Sequence, residues 1–379
     1  MTMNDDLLRV GILLNAAGVP YRIFEKLHNE NSLNEIYDGE NFWNEIGLTF
    51  PQQKKLSDLL IKNSFINKEI ERLEKFNAKF ITAFDIDYPA KLKDLKNPPI
   101  GLYVKGLNKN VDLNFPSAAI VGTRKCSVYG ENTAKSIAMA LAEAGIIVIS
   151  GGARGIDTAA HVGSLAVNGK TFAIFGNGLD KIYPNENRNL FEKISENGAL
   201  ISEYPFGTHG SLWTYPERNR IITAMAGRTV IVESPINGGA MITAREAKNL
   251  NRELWTVPGR INEEVCAGTN KLLQDKSGVI VNINEFIKEI YGSFGQLNAQ
   301  LNFEANFEGS EQKKSNSLSA SLSDDEKIIY SLLQRQSNRS IDNLIIESGL
   351  DLITVQDSIM MLESLGLVIS NGGRYLASL

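Results

Sequence analysis

The sequence predicts an α/β protein built on a Rossmann-like, doubly wound and mostly parallel sheet. Between residues 118 and 281, short apolar runs rich in β-branched residues alternate with amphipathic stretches of helical period. This alternation is typical of parallel strands that are covered by helices on both faces. Glycine-rich segments follow the first three runs, where the strands of such a sheet turn into helices. Periodicity and loop composition therefore agree on the fold class.

The order of the elements follows from the same pattern. The predicted strands are Ala118–Val121, Ile146–Ser150, Thr171–Phe175, Ala199–Glu203, Thr229–Glu233, Leu254–Val257 and Val279–Val281. The predicted helices between them are Asn132–Ala144, Thr158–Val167, Asn187–Glu196, Arg220–Ala226 and Ala240–Asn249. Upstream of the first strand, Tyr88-Pro89, Pro98-Pro99 and Gly106 indicate an extended connector.

A smaller domain is predicted ahead of this α/β domain, which we assign to residues 81–292. Apolar residues recur at helical spacing from Leu7 to Phe76, so residues 1–80 are predicted to be helical. The pattern fits a sterile-alpha-motif or helix-hairpin-helix domain that contacts DNA, and it fits a plain helical scaffold equally well.

Two segments are predicted after the α/β domain. Residues 293–323 are rich in Asn, Gln, Ser, Glu and Lys, which indicates a flexible linker. Residues 324–379 contain three helical patterns and a hairpin with a glycine turn, which predicts a winged-helix-like domain. The helix predicted over Leu352–Leu365 contains Asp357 and Glu363 but no Lys or Arg. It is therefore better suited to contact a protein than to read a DNA groove.

The charge balance limits where a polyanion could bind. The net charge is −5 at pH 7, but residues 118–292 hold 18 Lys and Arg against 17 Asp and Glu, whereas residues 293–379 hold 6 against 11. A nucleic-acid site must therefore be a local basic patch in the α/β domain, because the chain as a whole is not basic.

The chain lacks the sequence marks of several other protein classes. Acidic residues precede a short apolar stretch at the N-terminus, and about 18 apolar residues never occur in a row, so neither a secretory signal nor a membrane span is expected. Cys126 and Cys266 are the only cysteines and stand outside any zinc-binding pattern. This favours a reducing cytoplasm and predicts no metal site.

Glycine-rich loops carry the first set of candidate phosphate-contacting residues. Ligands of doubly wound sheets bind outside the carboxyl ends of the strands, so loops that follow the strands face one edge. Backbone N–H groups of such loops can approach phosphate closely. The set comprises Gly122, Thr123, Arg124, Lys125, Ser127, Gly151, Gly152, Arg154, Gly238 and Gly239.

These loops do not match the common nucleotide-binding motifs. A dinucleotide fold needs Gly-x-Gly-x-x-Gly after its first strand, whereas Gly122 is followed by Thr123 and Arg124. The phosphate-binding pattern that ends in Gly-Lys-Ser/Thr is also missing after these strands, since Gly169-Lys170-Thr171 precedes a strand. No bound cofactor is therefore expected.

A second set of candidates follows the fourth predicted strand. Arg218, Asn219 and Arg220 begin a helix, and aromatic residues cluster just upstream of them. Single-stranded nucleic acids are bound by cations that follow the backbone and by aromatic faces on which bases stack. The candidates for stacking are Tyr204, Phe206, Trp213 and Tyr215. Alternatively, the aromatic side chains pack in the core and the arginines pair with Glu217 or Glu203.

Five motifs occur in order across the centre of the chain. They are Gly122-Thr123-Arg124-Lys125-x-Ser127-x-Tyr129-Gly130, Ser150-Gly151-Gly152-Ala153-Arg154-Gly155-Ile156-Asp157, Arg218-Asn219-Arg220-Ile221-Ile222, Gly238-x-x-x-x-Thr243-Ala244, and Pro258-Gly259 with Gly268-Thr269-Asn270. In this order they resemble the DNA-processing protein A (DprA/Smf) family. The likeness is strong from about residue 85 to residue 290 and weak at both ends.

The resemblance implies a protein without catalytic turnover that binds and protects incoming single-stranded DNA and loads the RecA recombinase onto it during natural transformation. It also implies that the protein is a homodimer and that the DNA strands it acts on are covered by single-strand-binding protein. The residues implied to contact DNA or to let it approach are Arg124, Gly122, Gly151, Gly152, Arg218 and Arg220. Ser211 and Asn185 stand where the family leads us to expect further basic residues, which implies a weaker or rearranged patch.

Two other functions are consistent with the residues. Asp157 and His161 lie four apart on one predicted helix, and Glu233 ends a neighbouring strand, so a nucleotide phosphoribohydrolase with an acid–base cluster can be drawn. The alternative for Asp157 and His161 is a helix cap or a core pair. A protein-interaction scaffold with incidental DNA affinity is the third hypothesis.

Overall fold

The computed structural model describes residues 3–61, 64–106, 112–294, 323–335, 339–364, 367–371 and 374–377. Contacts divide the chain into two compact units, Met1–Gln296 and Leu297–Leu379. Each unit has a hydrophobic core of its own. The predicted linker, residues 293–323, falls outside the described residues except at its ends.

A nine-stranded sheet forms the centre of the first unit. Its strands are β1 (Ala78–Thr82), β2 (Gly101–Gly106), β3 (Ser117–Val121), β4 (Ile147–Ser150), β5 (Thr171–Phe175), β6 (Ala199–Ser202), β7 (Arg228–Ile231), β8 (Glu253–Thr256) and β9 (Gly278–Val279). They lie in the order β1-β2-β6-β5-β4-β3-β7-β8-β9, and all neighbours from β6 to β9 are parallel. The predicted α/β class with a mostly parallel sheet is confirmed.

The central strands are apolar at successive positions because both faces of the sheet are covered. Every residue of β3, β4 and β5 is buried. In the register of the sheet, Ala119 lies opposite Ile149 on one side and Ile120 lies opposite Val230 on the other. Burying a large aliphatic side chain stabilises the fold by about 1.5–3 kcal/mol, so these strands supply much of the stability of the unit.

Some helices of this unit contact the strands directly, and others pack on neighbouring helices. The helices are α1 (Met3–Ala17), α2 (Tyr21–Asn29), α3 (Glu40–Glu45), α4 (Phe50–Ile61), α5 (Phe65–Lys75), α6 (Val128–Glu143), α7 (Ile156–Ala166), α8 (Arg188–Asn197), α9 (Thr214–Met225), α10 (Gly239–Asn249), α11 (Glu264–Gln274) and α12 (Ile283–Phe294). Among the helices that the structure describes, none is long and apolar enough to cross a bilayer.

The N-terminal helices, predicted as a domain over residues 1–80, belong to the same compact unit as the sheet. Asn15 Nδ2 on α1 donates a hydrogen bond to the Glu203 carbonyl at 2.8 Å. The buried Glu69 on α5 accepts hydrogen bonds from the Tyr103 hydroxyl at 3.0 Å and from the Phe206 N–H at 3.2 Å. Helices α1 and α5 therefore hold the start of the loop between β6 and α9.

The segment predicted as an extended connector contributes to the sheet. β1 and β2 form an antiparallel pair in which Phe80 lies opposite Tyr103. β2 also pairs antiparallel with β6, where Val104 lies opposite Ile201. β2 lies in the predicted connector, whereas β1 crosses the boundary of the domain predicted to be helical over residues 1–80, so the sequence prediction missed both strands. They give the parallel sheet an antiparallel edge that carries the N-terminal helices.

The second unit contains three helices and a small antiparallel sheet. These elements are α13 (Asp324–Arg335), β10 (Arg339–Ser340), α14 (Ile341–Ser348), α15 (Leu352–Ser364), β11 (Val368–Asn371) and β12 (Arg374–Ala377). β12 lies between β10 and β11, and Ile329, Leu344, Val355 and Leu362 lie in the core of the unit. The helices and the hairpin are those expected from the sequence, and the winged-helix assignment stays a prediction.

Candidate functional site

A cleft with a volume of about 1030 Å³ opens at the carboxyl ends of the parallel strands. Its walls are the loops that follow β3, β4, β5 and β7, together with the segment 209–222 that includes the start of α9. From β3 the chain passes to β4 on one side, and it later returns to β7 on the other side. Doubly wound sheets bind ligands where the strand order reverses in this way, so this cleft is the candidate site.

The structure brings about half of the predicted contact residues to the cleft. Those that line it are Gly122, Thr123, Arg124, Lys125, Tyr215, Arg218, Asn219, Gly238 and Gly239. The remaining candidates lie outside its described lining and are Ser127, Gly151, Gly152, Arg154, Tyr204, Phe206, Trp213 and Arg220. Lys181, Tyr183 and His209 line the cleft and were not predicted.

The loop after β3 presents two cations to the cleft. Arg124 and Lys125 are exposed, and neither forms an ion pair with a carboxylate in the described part of the chain. The backbone of the loop is fixed from behind, because Thr123 N donates to the Glu233 carbonyl at 2.7 Å and Ile156 N donates to the Thr123 carbonyl at 3.3 Å. A rigid loop with unpaired cations suits phosphate, since no internal ion pair has to break on binding.

Aromatic rings stand beside these cations. The Arg124 guanidinium lies over the ring of Tyr215, 5.5 Å from its centroid. The Tyr215 ring in turn contacts Tyr183 at a centroid distance of 5.7 Å, and Tyr183 is 47% exposed. A cation and two aromatic rings are thus next to one another, and of the two rings Tyr183 is the exposed one. Tyr183 could have been suspected from the sequence, because it follows the glycine-rich loop after the third predicted strand.

The N-terminus of α6 is occupied by a carboxylate of the protein itself. Glu233 accepts hydrogen bonds from Ser127 N at 2.9 Å and from Ser127 Oγ at 2.5 Å. A Cβ atom on Gly130 would lie 2.3 Å from the Glu233 carboxyl carbon, so this approach requires glycine. A dinucleotide pyrophosphate binds at this position in doubly wound folds. The N–H and hydroxyl of Ser127 are therefore bonded within the protein and are not free to contact phosphate.

Arg218 lies in the floor of the cleft and is only 4% exposed. Its Nη1 donates to the Gly151 carbonyl at 2.6 Å and also to the Ile174 carbonyl. A Cβ atom on Gly151 would lie 2.4 Å from this nitrogen. The Gly152 carbonyl accepts a hydrogen bond from Asn187 Nδ2 at 3.1 Å. Gly151 and Gly152 therefore shape the protein floor, and this role accounts for them without a ligand.

The charge of Arg218 is balanced by the buried Asp157. Burial raises the pKa of Asp157, and the nearby Arg218 guanidinium opposes that rise. Lys181 is partly neutralised as well, because its Nζ lies 3.6 Å from an Asp180 carboxylate oxygen. The uncompensated positive charge of the described cleft therefore comes mainly from the loop after β3.

Two more predicted cations form ion pairs. Arg220 Nη2 lies 2.6 Å from both carboxylate oxygens of Glu203, and Arg220 Nη1 donates to the Asn97 carbonyl at 2.9 Å. This pair is the alternative considered for Arg220 from the sequence, and it occupies the guanidinium. Arg154 pairs with Glu186 at the surface. Exposed pairs of this kind contribute only about 0–1 kcal/mol, so Arg154 can exchange its partner at little cost.

The predicted stacking residues lie in different environments. Phe206 is buried and packs edge-on against Tyr103 at a centroid distance of 5.3 Å, so its ring has no free face for a base. The half-buried Tyr204 donates its hydroxyl to Glu217 Oε2 at 3.1 Å. Trp213 is 84% exposed. The core alternative therefore applies to Phe206, while Trp213 stays available for contact.

The start of α10 forms the opposite wall of the cleft. Gly238 and Gly239 line it together with Thr243. Gly238 N donates to the Pro235 carbonyl at 2.9 Å, which fixes the turn into the helix. The positive end of the helix dipole therefore lies at the cleft wall, where it favours an anion.

The structure does not join Asp157, His161 and Glu233 in one acid–base cluster. His161 is fully buried, and its Nδ1 lies 2.7 Å from the Thr171 hydroxyl. That hydroxyl donates to the Val148 carbonyl, so Nδ1 must carry the imidazole proton. Burial, with the Arg218 charge as a smaller cause, lowers the pKa of His161 to about 3. His161 is a neutral core residue, and Glu233 is bonded to the loop after β3.

This histidine makes stability depend on pH. Its pKa is about 6.5 in the unfolded chain and about 3 in the fold, so below pH 6.5 only the unfolded chain takes up a proton there, and stability falls as the pH falls. Between about pH 7 and pH 5.5 we expect the wild type to lose about 1 kcal/mol more than His161→Gln. Urea unfolding followed by tryptophan emission measures this; the exposed His209→Gln is the control. Equal pH slopes in wild type and His161→Gln would contradict the assignment.

Comparison with known proteins shows which family this chain is similar to. The sequence model of DNA recombination-mediator protein A matches residues 79–291. Protein Smf of Synechocystis sp. is 36% identical over 223 residues, which cover 58% of this chain and 56% of that protein. A putative DNA processing protein DprA of Mycobacterium tuberculosis is 30% identical over 318 residues, 81% of this chain and 79% of that protein. The chain thus matches a little over half the length of the Synechocystis relative.

Two solved structures share the fold. DNA processing protein A from Streptococcus pneumoniae superposes with a TM-score of 0.64 and 28% identity, covering 75% of this chain and 95% of that one. DNA processing protein A from Helicobacter pylori, described for its single-stranded-DNA binding mode, superposes with a TM-score of 0.52 and 32% identity, covering 57% of this chain and 97% of that one. Both sequence and fold therefore point to one family.

Proposed function

Since the chain belongs to the DNA recombination-mediator protein A family, we propose that it binds single-stranded DNA in the cleft at the carboxyl ends of its parallel strands. Family membership supports DNA as the ligand. The single-stranded-DNA binding mode described for the Helicobacter pylori relative supports an unpaired strand. The proposal concerns residues 79–291, which are the part of the chain that the family covers.

The observation that carries this proposal is the juxtaposition of cations without a carboxylate partner and aromatic rings in one cleft. Arg124 and Lys125 are exposed and have no carboxylate partner in the described residues. Tyr215 and Tyr183 stand beside them. Cations bind the phosphates of the backbone, and aromatic rings stack on bases that are free of a complementary strand. A single strand uses both features at once.

We include in the proposal that the protein acts by binding and does not catalyse a reaction. Asp157, His161 and Glu233, from which a phosphoribohydrolase site could have been drawn, each have separate partners. Glu233 also fills the helix terminus at which a dinucleotide would bind. These contacts favour a DNA-binding protein over a nucleotide hydrolase.

The further steps of the proposed function concern partners. The family description as a recombination mediator supports a role in protecting incoming strands and loading the RecA recombinase onto them in natural transformation. Single-strand-binding protein on those strands, a homodimeric state and a cytoplasmic location belong to the same proposal. They follow from the family resemblance and from the cysteine pattern.

Fluorescence anisotropy of a labelled oligothymidylate, with a matching duplex and a salt series, tests DNA binding in the cleft. Arg124→Ala removes a charge-assisted phosphate contact, so we expect about tenfold or greater loss of affinity. The slope of log affinity against log salt should also shrink by about 0.7. Lys54→Ala removes an exposed cation of the N-terminal helices and is the control.

The opposite outcome is equally clear. Binding that is absent, or that is indifferent to both salt and Arg124, would contradict DNA binding in this cleft. Release of a base from nucleoside monophosphates would then favour the phosphoribohydrolase. DNA binding by Arg124→Ala and Lys125→Ala that equals the binding of the wild type would favour an interaction scaffold with incidental affinity.

A further inference from the structure

Two large apolar side chains stand almost fully exposed at the edge of the cleft. Leu212 is 88% exposed and Trp213 is 84% exposed. Leu212 lines the cleft, and Trp213 precedes α9 by one residue, two positions before Tyr215. The other tryptophans, Trp43 and Trp255, are 4% and 8% exposed. Leu212 and Trp213, which we name the lip, are therefore unlike the apolar residues of the core.

The backbone of the lip is fixed by local hydrogen bonds. Ser211 N donates to Thr214 Oγ1 at 2.8 Å, and Thr214 N donates to Ser211 Oγ at 3.2 Å. The loop is tied further back through Phe206, whose N–H donates to Glu69. The lip thus projects from an anchored turn. Exposed tryptophan and leucine side chains side by side are unfavourable in water, and at the edge of a cleft they are candidates for a contact surface.

We propose that the lip stacks on unpaired bases of the strand that leaves the cleft and thereby makes the site select single-stranded over duplex DNA. This inference rests on the proposed function. Arg124 and Lys125 attract the phosphates of either DNA form, because phosphate contacts carry no information on base pairing. The faces of bases are open only in a single strand, so a stacking element discriminates where a cation does not.

The position of the lip beside the cleft indicates that its binding partner is the same DNA strand. Leu212 and Tyr215 line the same cavity, and Arg124 lies over Tyr215, so a strand bound at Arg124 lies next to the segment just before Tyr215. Trp213 offers the largest aromatic surface of any side chain, and its face is not covered by other described residues. A base is the planar partner that such a strand supplies at this place.

The single exposed tryptophan gives a direct readout, because a base that stacks on Trp213 should quench its emission while Trp43 and Trp255 stay buried. We expect oligothymidylate, and not the matching duplex, to quench the emission of the full chain. Trp213→Ala should weaken oligothymidylate binding roughly 5- to 100-fold and leave duplex affinity within about twofold. Trp213→Phe keeps an aromatic face, so it should restore most of the selectivity. Phe50→Ala, an exposed aromatic residue on α4, is the matched control.

The outcomes separate this inference from the proposed function. If Trp213→Ala leaves the ratio of single-strand to duplex affinity unchanged, and DNA does not quench the wild-type emission, the proposed stacking on the lip is wrong. Binding that still depends on Arg124 would nevertheless support DNA binding in the cleft. An equal loss of affinity for both DNA forms also overturns the proposed stacking. A change of oligomeric state in Trp213→Ala, seen by light scattering with DNA selectivity intact, would make the lip a protein contact. If the wild type binds neither DNA form, the proposed function itself is wrong.

Discussion

Arg218→Ala is expected to destabilise the first unit by about 3–5 kcal/mol. The guanidinium is buried, donates to the Gly151 and Ile174 carbonyls, and compensates the charge of Asp157. Alanine would leave a buried carboxylate without its cation and two carbonyls without a donor. Urea unfolding followed by tryptophan emission measures the loss in this unit alone, since Trp43, Trp213 and Trp255 all lie within residues 1–296.

The pH dependence of this variant has a defined sign. Without Arg218, the folded-state pKa of Asp157 should rise further above its unfolded value, because burial, the largest cause, is then opposed only by the backbone hydrogen bonds from Ala153 and Gly151 and by the charge of Arg124. Destabilisation is therefore greatest above that folded pKa and decreases as the pH falls through it. Arg260→Ala removes an arginine whose side chain is 85% exposed and should cost less than about 1 kcal/mol. Wild-type stability with lost DNA affinity in Arg218→Ala would show that Arg218 is a ligand contact.

Glu69→Ala should have a comparable effect, about 3–5 kcal/mol. The carboxylate is fully buried and accepts hydrogen bonds from Arg72 at 2.9 Å, from the Tyr103 hydroxyl and from the Phe206 N–H. Its removal leaves the buried hydroxyl and N–H without an acceptor, each at a cost of about 1–3 kcal/mol. Urea unfolding gives the total, and hydrogen exchange at Phe206 and Gly207 should show that the loop between β6 and α9 has loosened.

The neighbouring helix residue provides a matched control for this prediction. Glu71 lies on α5 two positions from Glu69 and is exposed, so Glu71→Ala should change stability by less than about 0.5 kcal/mol. Glu69→Gln keeps the shape and one carbonyl acceptor, and it should lie between the wild type and Glu69→Ala. If Glu69→Ala is no worse than Glu71→Ala, the carboxylate does not anchor the loop.

The sequence predicted the parallel part of the fold well because its signal is local. All seven predicted strands are present, and most begin or end within one or two residues of the prediction. The sequence prediction missed strands β1 and β2 because their pairing is non-local and because neighbouring residues favour irregular structure. Pro98-Pro99 and Gly101 favour an irregular segment, yet Gly101–Gly106 pairs with Ala78–Thr82 and with β6. Tertiary pairing decides such edge strands.

The sequence predicted only part of the candidate site, because the rest depends on long-range contacts. The sequence indicates which residues are cationic or aromatic and which loops carry them, and this suffices for Arg124, Lys125 and Tyr215. It does not indicate which cations are already engaged. Arg218 is hydrogen-bonded to Gly151, 67 residues earlier in the chain, and Phe206 is buried against a strand far upstream. Long-range contacts of this kind are set by the fold, so spacing cannot separate structural from available side chains.

The proposed function requires that this Rossmann-like sheet binds a strand of DNA and not a dinucleotide. Glu233 fills the helix terminus beside β3, so the proposed anion site lies further out, at Arg124 and Lys125 on the same loop. That surface is open and flanked by rings instead of being enclosed. An open cationic groove with aromatic faces suits a polymer, because a strand can enter and leave along it.

Photo-crosslinking of an oligothymidylate that carries bromodeoxyuridine, with mass-spectrometric mapping of the crosslinked peptides, tests most directly whether this cleft holds the strand. We expect crosslinks in peptides that contain Tyr183, Trp213 or Tyr215, and their loss in Arg124→Ala under the same conditions. Crosslinks confined to the N-terminal helices α1–α5, or to residues 323–377, with the cleft peptides unmodified, would contradict it. The strand would then bind elsewhere on the protein, and the cleft would need another ligand.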